Sequence, residues 1–466
     1  MHISRLALDH YRSWERCVLD LTPGVNILQG ANGLGKTNIV EAVEVLSTGS
    51  SHRTSSSLPL IERGYTSAVI RANVDDTDGQ HAYEATIVAR GANRARINGG
   101  KSQYMRDLIG LIPSVSFTPE DQHLVSGDPA TRRNFLNQAA SLLLPHYAPL
   151  LQQFTHIAKQ RTALLKQLAD GTGFDPEYGR QAVLSGLETW TGQFIDIGLR
   201  LTRHRADVVR RLSEPFGRIY EALAGTAKPQ TATQPPHAPQ QMAALTYEPS
   251  FDEVLYFDDP AAEISRHFQR IYSGEVARGR NLIGPHRDDL ALRLDGMPAR
   301  EFASNGEMWT MALALKMALY EVVQEQRGTK PIVILDDVFA QLDESRRGQI
   351  LDFADAQDQV LITVAAASDV PRSGGNIIDV ARLREQSSGT PDEHLAAMMA
   401  QLASGRSAAA SDSAEVLAED GQSEPCQPSE VQTPPDSPAS LDAQVSSEER
   451  NAARTAVRTN GNGDDH

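Results

Sequence analysis

The residues Gly30-Ala31-Asn32-Gly33-Leu34-Gly35-Lys36-Thr37 match the phosphate-loop pattern. In that pattern glycines let successive backbone N–H groups turn toward an anion, and the helix that follows presents its positive end. Lys36 has the reach for the β- and γ-phosphates of ATP, and the Thr37 hydroxyl can ligate Mg²⁺. Much later comes Ile332-Val333-Ile334-Leu335-Asp336-Asp337, an apolar run that ends in two acids. Asp336 is placed to hold the metal shell. Asp337, one residue on, can act as general base toward an attacking water, provided it reaches the γ-phosphate. An isolated acidic pair after a strand is ordinarily a turn or helix cap. Coupled to a phosphate loop, it reads as the metal-holding partner.

Two more segments flank that pair. Ser304-Asn305-Gly306-Glu307 opens a helix before it, and Ala340-Gln341-Leu342-Asp343 follows it closely. The order resembles the signature loop and D-loop of ABC-type ATPases, in which Ser304, Gly306 and the helix start would meet the γ-phosphate of ATP held by a second subunit. The physical basis is a helix N-terminus with its N–H donors and positive dipole. The same Ser-Asn-Gly-Glu serves equally as a helix N-cap with a capping-box glutamate.

The elements that must position these residues are legible from periodicity. Ile3 to Asp9, Cys17 to Leu21 and Val25 to Leu28 read as short strands, the third leading into the loop, and Asn38 to Leu46 as a helix. Ala68 to Ile97 is β-rich, broken by an acidic turn at 75–79. Apolar residues then recur at three, four and seven from Leu150 to Leu168 and from Leu187 to Leu223. Two long amphipathic helices result, joined by a turn at 171–176, and they fit either the core of a globular lobe or a protruding arm. The segment 225–242 is poor in large apolar residues and reads as a flexible insertion. Pro331 to Leu335 and Val360 to Val364 return as buried strands flanking a helix.

Several further segments make the resemblance specific. Tyr11-Arg12-Ser13-Trp14, Gly35-Lys36-Thr37-Asn38 with Glu41, Ser51-His52-Arg53, Pro119-Glu120-Asp121, Gly127-Asp128-Pro129, Arg132 to Leu136, Lys159-Gln160-Arg161 and Gly284-Pro285-His286-Arg287-Asp288-Asp289 run in the order of the RecF family over roughly residues 1–385. The resemblance implies an α/β fold with a P-loop ABC/SMC-type ATPase head lobe, and a second, mainly helical lobe. It divides the first 385 residues into an N-terminal ATPase part (1–120), the helical lobe (121–280) and a C-terminal ATPase part (281–385), while residues 386–466, dominated by Ser, Ala, Pro and acidic residues, read from composition as a disordered acidic tail outside the family core. It also implies ATP and Mg²⁺ as cofactors, slow hydrolysis and ATP-dependent homodimerisation. DNA binding on double-stranded, single-stranded or junction substrates, cooperation with RecR and RecO in loading recombinase, and support of the SOS response belong to the same expectation. Asn137, Gln341 and Glu307 depart from the family pattern, each changing one carboxylate near the expected dimer or DNA surface.

Charge bears on the DNA expectation. The net charge is -16, with 60 Asp and Glu against 44 Lys and Arg. Residues 386–466 hold fourteen acids and four arginines, so most of the excess lies in the tail. Binding to phosphate then depends on local clusters. The candidates are Arg132, Arg133, Lys159, Arg161 and the helix face carrying Arg200, Arg203, Arg210 and Arg211, where Asp207 and Glu214 share the arc. A solvated face of mixed charge fits that stripe as well as a DNA-binding ridge does. Cys17 and Cys426 are the only cysteines, which fits a reducing compartment, and no apolar run of about 18 residues is present to span a membrane. A cytoplasmic location is expected. An ABC transporter subunit, an SMC-like tether and a small-molecule phosphotransferase would share parts of the motif set. The 267 positions between Thr37 and Ser304 leave room for a helical lobe that a transport subunit does not need, and the helices are short for a tether.

Overall fold

The strand that feeds the phosphate loop sits inside a parallel sheet assembled from both ends of the sequence. The computed structural model describes residues 1–54, 56–170, 179–227, 242–342, 344–365 and 374–387. The chain opens with β1 (His2–Tyr11), β2 (Trp14–Asp20), β3 (Gly24–Gln29) and α1 (Lys36–Thr48). There follow β4 (Ser67–Asp76), β5 (Gly79–Val88), β6 (Arg94–Ile97), β7 (Gln103–Tyr104) and β8 (Ser114–Phe117). The helices α2 (His123–Ser126), α3 (Pro129–Leu143), α4 (Tyr147–Asp170) and α5 (Gly179–Ala227) lead to β9 (Ala243–Glu248) and α6 (Pro260–Arg278). Next come β10 (Asp289–Leu294), β11 (Met297–Pro298), α7 (Ala299–Phe302), α8 (Asn305–Arg327) and β12 (Ile332–Asp336). The described chain ends with α9 (Glu344–Asp355), β13 (Gln359–Val364), β14 (Asn376–Asp379) and α10 (Val380–Ser387).

The parallel sheet has the order β14-β3-β13-β12-β8. Its two central neighbours, β12 and β13, are buried at every position, as strands covered on both faces must be. Side chains alternate between two apolar clusters. Ile332, Ile334 and Leu361 face the cluster that contains Ile39, Val43 and Leu46 of α1 and the antiparallel sheet β2-β1-β4-β5-β6-β7. Val333, Leu335, Val360 and Ile362 face the cluster shared with α3, α4, α5 and α8. The sheet is thus held rigidly from both sides, with its strand ends left to carry chemistry.

Over Leu187–Leu223 the long helix α5 takes the core alternative. Leu187, Phe194, Ile197, Leu201, Val208, Leu212, Phe216, Ile219 and Leu223 are all buried, and α5 packs on α4, α8 and β9. Two charged networks, both hidden from water, lock this helical region. Arg161 of α4 donates to Glu275 of α6 at 2.6 and 3.0 Å, to Asn281 at 2.6 Å and to Thr191 of α5 at 3.0 Å. Arg205 of α5 donates to Asp288 at 2.7 Å, to the Pro285 carbonyl and to Asn137, while Tyr147 donates to the same Asn137.

These networks correct several expectations. Arg161, 2% exposed, is committed to Glu275 and is not a DNA contact. Arg132 is also buried and forms a two-pronged pair with Asp289 at 2.7 and 2.8 Å. The Asn137 carbonyl oxygen is engaged inside the helical packing, where it accepts from Arg205 and Tyr147. Element ends also moved: α1 and α5 run two or more residues past their expected limits, and α10 carries the described chain through Ser387. The turn at 171–176, the insertion within 228–241 and the tail from 388 onward lie outside the described residues. Among the described residues no helix is long and apolar enough to cross a membrane.

Candidate functional site

The ends of β3 and β12 bring the two halves of the motif set together. β3 pairs with β13 and β13 with β12, all parallel, so the loop after β3 and the acids after β12 emerge on one edge of the sheet. Such carboxyl-end edges are where open α/β sheets bind ligands. There the Thr37 hydroxyl donates to Asp336 Oδ1 at 3.0 Å.

A residue that sequence reasoning passed over completes the contact. Thr363 of β13 donates its hydroxyl to the same Asp336 oxygen at 2.6 Å and accepts the Asp337 backbone N–H at 2.9 Å. Register explains it, since Thr363 lies directly opposite Asp336. The available signal was a lone hydroxyl near the end of the apolar run Val360 to Val364. Asp337 is turned out of the strand in a left-handed conformation, φ 52°, which costs energy for a residue with a Cβ and recurs where surrounding structure fixes a side chain for function.

The loop itself is built on local necessity. Gly35 has φ 97°, and a Cβ there would lie 2.7 Å from Trp14 Nε1, so only glycine fits. Trp14 in turn donates Nε1–H to the Gly35 carbonyl at 3.1 Å. Arg384 of α10 lies over the Trp14 ring at 5.6 Å and donates to the Leu34 carbonyl at 3.1 Å, so the loop is braced from behind by the end of the described chain.

Lys36 is a buried side chain, 6% exposed. Its ammonium donates to the carbonyls of Gly30 at 2.6 Å and Ala31 at 3.1 Å and to the Asn32 side chain at 3.3 Å. Burial lowers the Lys36 pKa from its ordinary value, against the opposing charges of Asp337 and Asp336. Burial raises that of Asp336, against the hydrogen bonds from Thr363 and Thr37. Thr37 and Asp336 thus offer hard oxygen donors at one point beside a lysine, a donor set that suits Mg²⁺ and a polyphosphate. Gly30, Ala31, Asn32, Gly33 and Leu34 complete the loop around Lys36.

Around this centre, Arg12 pairs with Glu41 of α1, and Arg53 donates to Asn38 at 2.9 Å and to Glu41 at 3.2 Å. Ser304 lies elsewhere, as the N-cap of α8. Its Oγ accepts the Glu307 N–H at 3.3 Å and donates to the Glu307 carboxylate at 2.8 Å, so the capping-box reading is realised. Ser304 is also exposed. A Cβ on Gly306 would lie 2.9 Å from the Arg346 guanidinium, which donates to the Gly306 carbonyl at 3.1 Å. The side chains of Ala340, Gln341 and Asp343 lie outside the described residues.

Comparison with known proteins gives a consistent answer. Residues 2–388 match the sequence model of the RecF/RecN/SMC N terminal domain. A "DNA replication and repair protein RecF" of Bifidobacterium adolescentis is 75% identical over 408 residues, covering 88% of this chain and 98% of its own length. A protein of the same description from Renibacterium salmoninarum is 39% identical over 388 residues, covering 80% and 96%. Among solved structures, the recombination mediator protein RecF-ATPrS of the RecFOR pathway aligns with a TM-score of 0.69 at 24% identity, covering 81% of this chain and 96% of that one, which establishes a shared fold.

Proposed function

The chain belongs to the RecF family, and from that premise we propose that it is an ATP-dependent DNA-binding protein of recombinational repair and replication that dimerises on ATP and hydrolyses it slowly. The observation that carries this reading is the convergence of Thr37 and Thr363 on Asp336 Oδ1, with Lys36 and Asp337 beside it.

In this reading Lys36 exchanges its loop carbonyls for phosphate oxygens, a trade of neutral acceptors for charged ones that favours the nucleotide. Thr37 and Asp336 would hold Mg²⁺, which would supply charge neutralisation to the bound polyphosphate. Thr363 fixes the Asp336 carboxylate, and through the Asp337 N–H it also fixes where the second acid points. Asp337 is the general base that takes the proton of the attacking water.

Ser304 and the first N–H groups of α8 form a separate anion site with positive dipole. It serves the γ-phosphate of ATP on a second copy, so that two phosphate loops and two α8 starts complete each other across an isologous interface. Phe302, two residues before Ser304, is 64% exposed, which supports an interface there. The RecFOR description of the solved RecF supports RecR and RecO as partners, and gapped or junction DNA as the substrate belongs to the same proposal. Participation in the SOS response and a cytoplasmic location follow from the same reading. For duplex DNA, Arg200 and Arg203 of α5 are exposed cations, whereas Asp207 engages both Arg210 and Arg211.

Sedimentation with a slowly hydrolysed ATP analogue tests the mechanism. The parent chain is expected to form dimers. Lys36→Ala should lose at least about tenfold in analogue affinity, given the strength of charged hydrogen bonds. Ser304→Arg should bind the analogue nearly normally and remain monomeric. Unchanged affinity in folded Lys36→Ala would remove the nucleotide-site assignment, and normal dimers from Ser304→Arg would reduce Ser304 to a helix cap.

A further inference from the structure

A cleft of about 910 Å³, with neither Thr37 nor Asp336 in its lining, lies between the C-terminal end of α1, the β6–β7 hairpin and the faces of α3 and α4. We propose that this cleft binds single-stranded nucleic acid, the unpaired strand of a gapped or junction substrate. The inference rests on the reading of the chain as a DNA-binding protein, for which single-stranded DNA is already an expected substrate, and assigns the place.

Charge is the first argument. The chain carries 60 acids against 44 Lys and Arg, yet no Asp or Glu is among the described residues lining this cleft, while Arg106, His156 and Lys159 are. Asp107 lies 3.9 Å from Arg106, and the buried Glu41 and Glu44 accept from the lining residues Ser51 and Gln138. A phosphate backbone entering the cleft therefore meets Arg106 and Lys159 with no carboxylate among the described lining residues.

The lining chemistry is the second. Ser50, Ser56, Asn93, Asn134, Gln138 and Gln152 supply hydroxyls and amides that can donate to phosphate and both donate to and accept from base edges. A concave wall of amides suits unpaired bases, whereas duplex is read by an element entering a groove.

Stacking is the third. Tyr104 is 40% exposed, and the guanidinium groups of Arg94 and Arg106 each lie 4.3 Å from its ring centroid. This cation–aromatic layer offers planar surfaces of the kind on which bases stack irrespective of sequence. Arg106 also donates to Gln152 of α4 at 2.8 Å, which ties the hairpin wall to the helical wall.

Fluorescence anisotropy of the full chain, with a labelled oligothymidylate and separately with a duplex of equal length, tests the assignment. Arg106→Ala combined with Lys159→Gln should weaken oligothymidylate binding roughly tenfold or more and lower its log–log salt slope by about 1.4, two phosphate contacts' worth. Duplex affinity should change by less than about twofold, since a duplex is read from its grooves and does not enter the cleft. Equal losses on both probes, or none on the single strand, would overturn the proposal. A parent chain that binds neither probe would instead remove the broader DNA reading, and this one with it. Should the double variant fail to fold, photo-crosslinking of the parent chain to an iodouracil-substituted strand decides the matter. Adducts at Tyr104 or His156 are expected, and adducts found only outside the cleft would refute it.

Discussion

Asp336 is a carboxyl held where water is scarce. It is 5% exposed, and burial raises its pKa despite the hydroxyls of Thr37 and Thr363. For an acid whose folded pKa exceeds its unfolded value, near 4, the folded state binds the extra proton. Stability therefore falls as pH rises through that range. Asp336→Asn keeps an oxygen to accept both hydroxyls and removes the buried charge. The nucleotide-free variant is expected to melt above the parent near pH 8, with the gain shrinking as pH falls toward 4. Thermal melts across that range check it, and a variant less stable at every pH would show that the carboxyl carries no such cost. The identity of Asp336 was legible in the sequence from an apolar run ending in acids. Thr363 was not, because its role depends on strand register, which no local pattern reveals.

At the scale of elements, α4, α5 and α6 are joined by a charge and not only by apolar packing. Arg161 is 2% exposed and Glu275 fully buried, with Asn281 and Thr191 filling the remaining donor directions. Arg161→Ala leaves Glu275 without its cation and should cost about 3–5 kcal/mol, read as a lower urea midpoint. Replacing both partners, Arg161→Met with Glu275→Leu, should recover much of that loss, since the pair's desolvation is then avoided. A single variant costing under about 1 kcal/mol would mean the network is dispensable, against the usual penalty for an unpaired buried charge. The helical pattern itself was readable, because apolar residues at 3.6-residue spacing survive any tertiary context. Which charged residues lie on the buried face was not. Lys159 and Arg161 are neighbours in sequence, and only the packing of α6 sends one inward and leaves the other exposed.

For the whole molecule, the composition of residues 386–466 predicted a segment without a core of its own. The structure shifts the place where a cut is tolerated. Val380 is fully buried, and Arg384 donates to the phosphate loop at Leu34, so α10 belongs to the site. A chain ending at Ser387 should keep its melting temperature within about 2 °C, as expected when the segment removed is too poor in apolar residues to build a core. Ending it at Asp379 should lower both melting temperature and affinity for an ATP analogue. Thermal shift with and without the analogue separates the outcomes, and equal behaviour of the two truncations would deny α10 its bracing role. Family membership also sets aside the transport-subunit and phosphotransferase alternatives that the motifs alone left standing.

Features that depend on near neighbours along the chain could be read from the residues alone. Glycines at 30, 33 and 35, the acids at 336 and 337, the Ser304 cap and the alternating or helical apolar periods each depend on neighbours within a turn or a strand. Tertiary structure decided what depends on partners far along the chain. It set the meeting of Thr37 with Asp336 across 299 positions, the withdrawal of Lys36 onto its own loop, and the bracing of Gly35 by Trp14 and of Leu34 by Arg384. It also turned Arg132 and Arg161 from DNA candidates into structural ion pairs. A charge looks alike in sequence whether it faces water or a buried carboxylate. The partner that fixes its role is chosen by packing, and packing is a property of the folded chain.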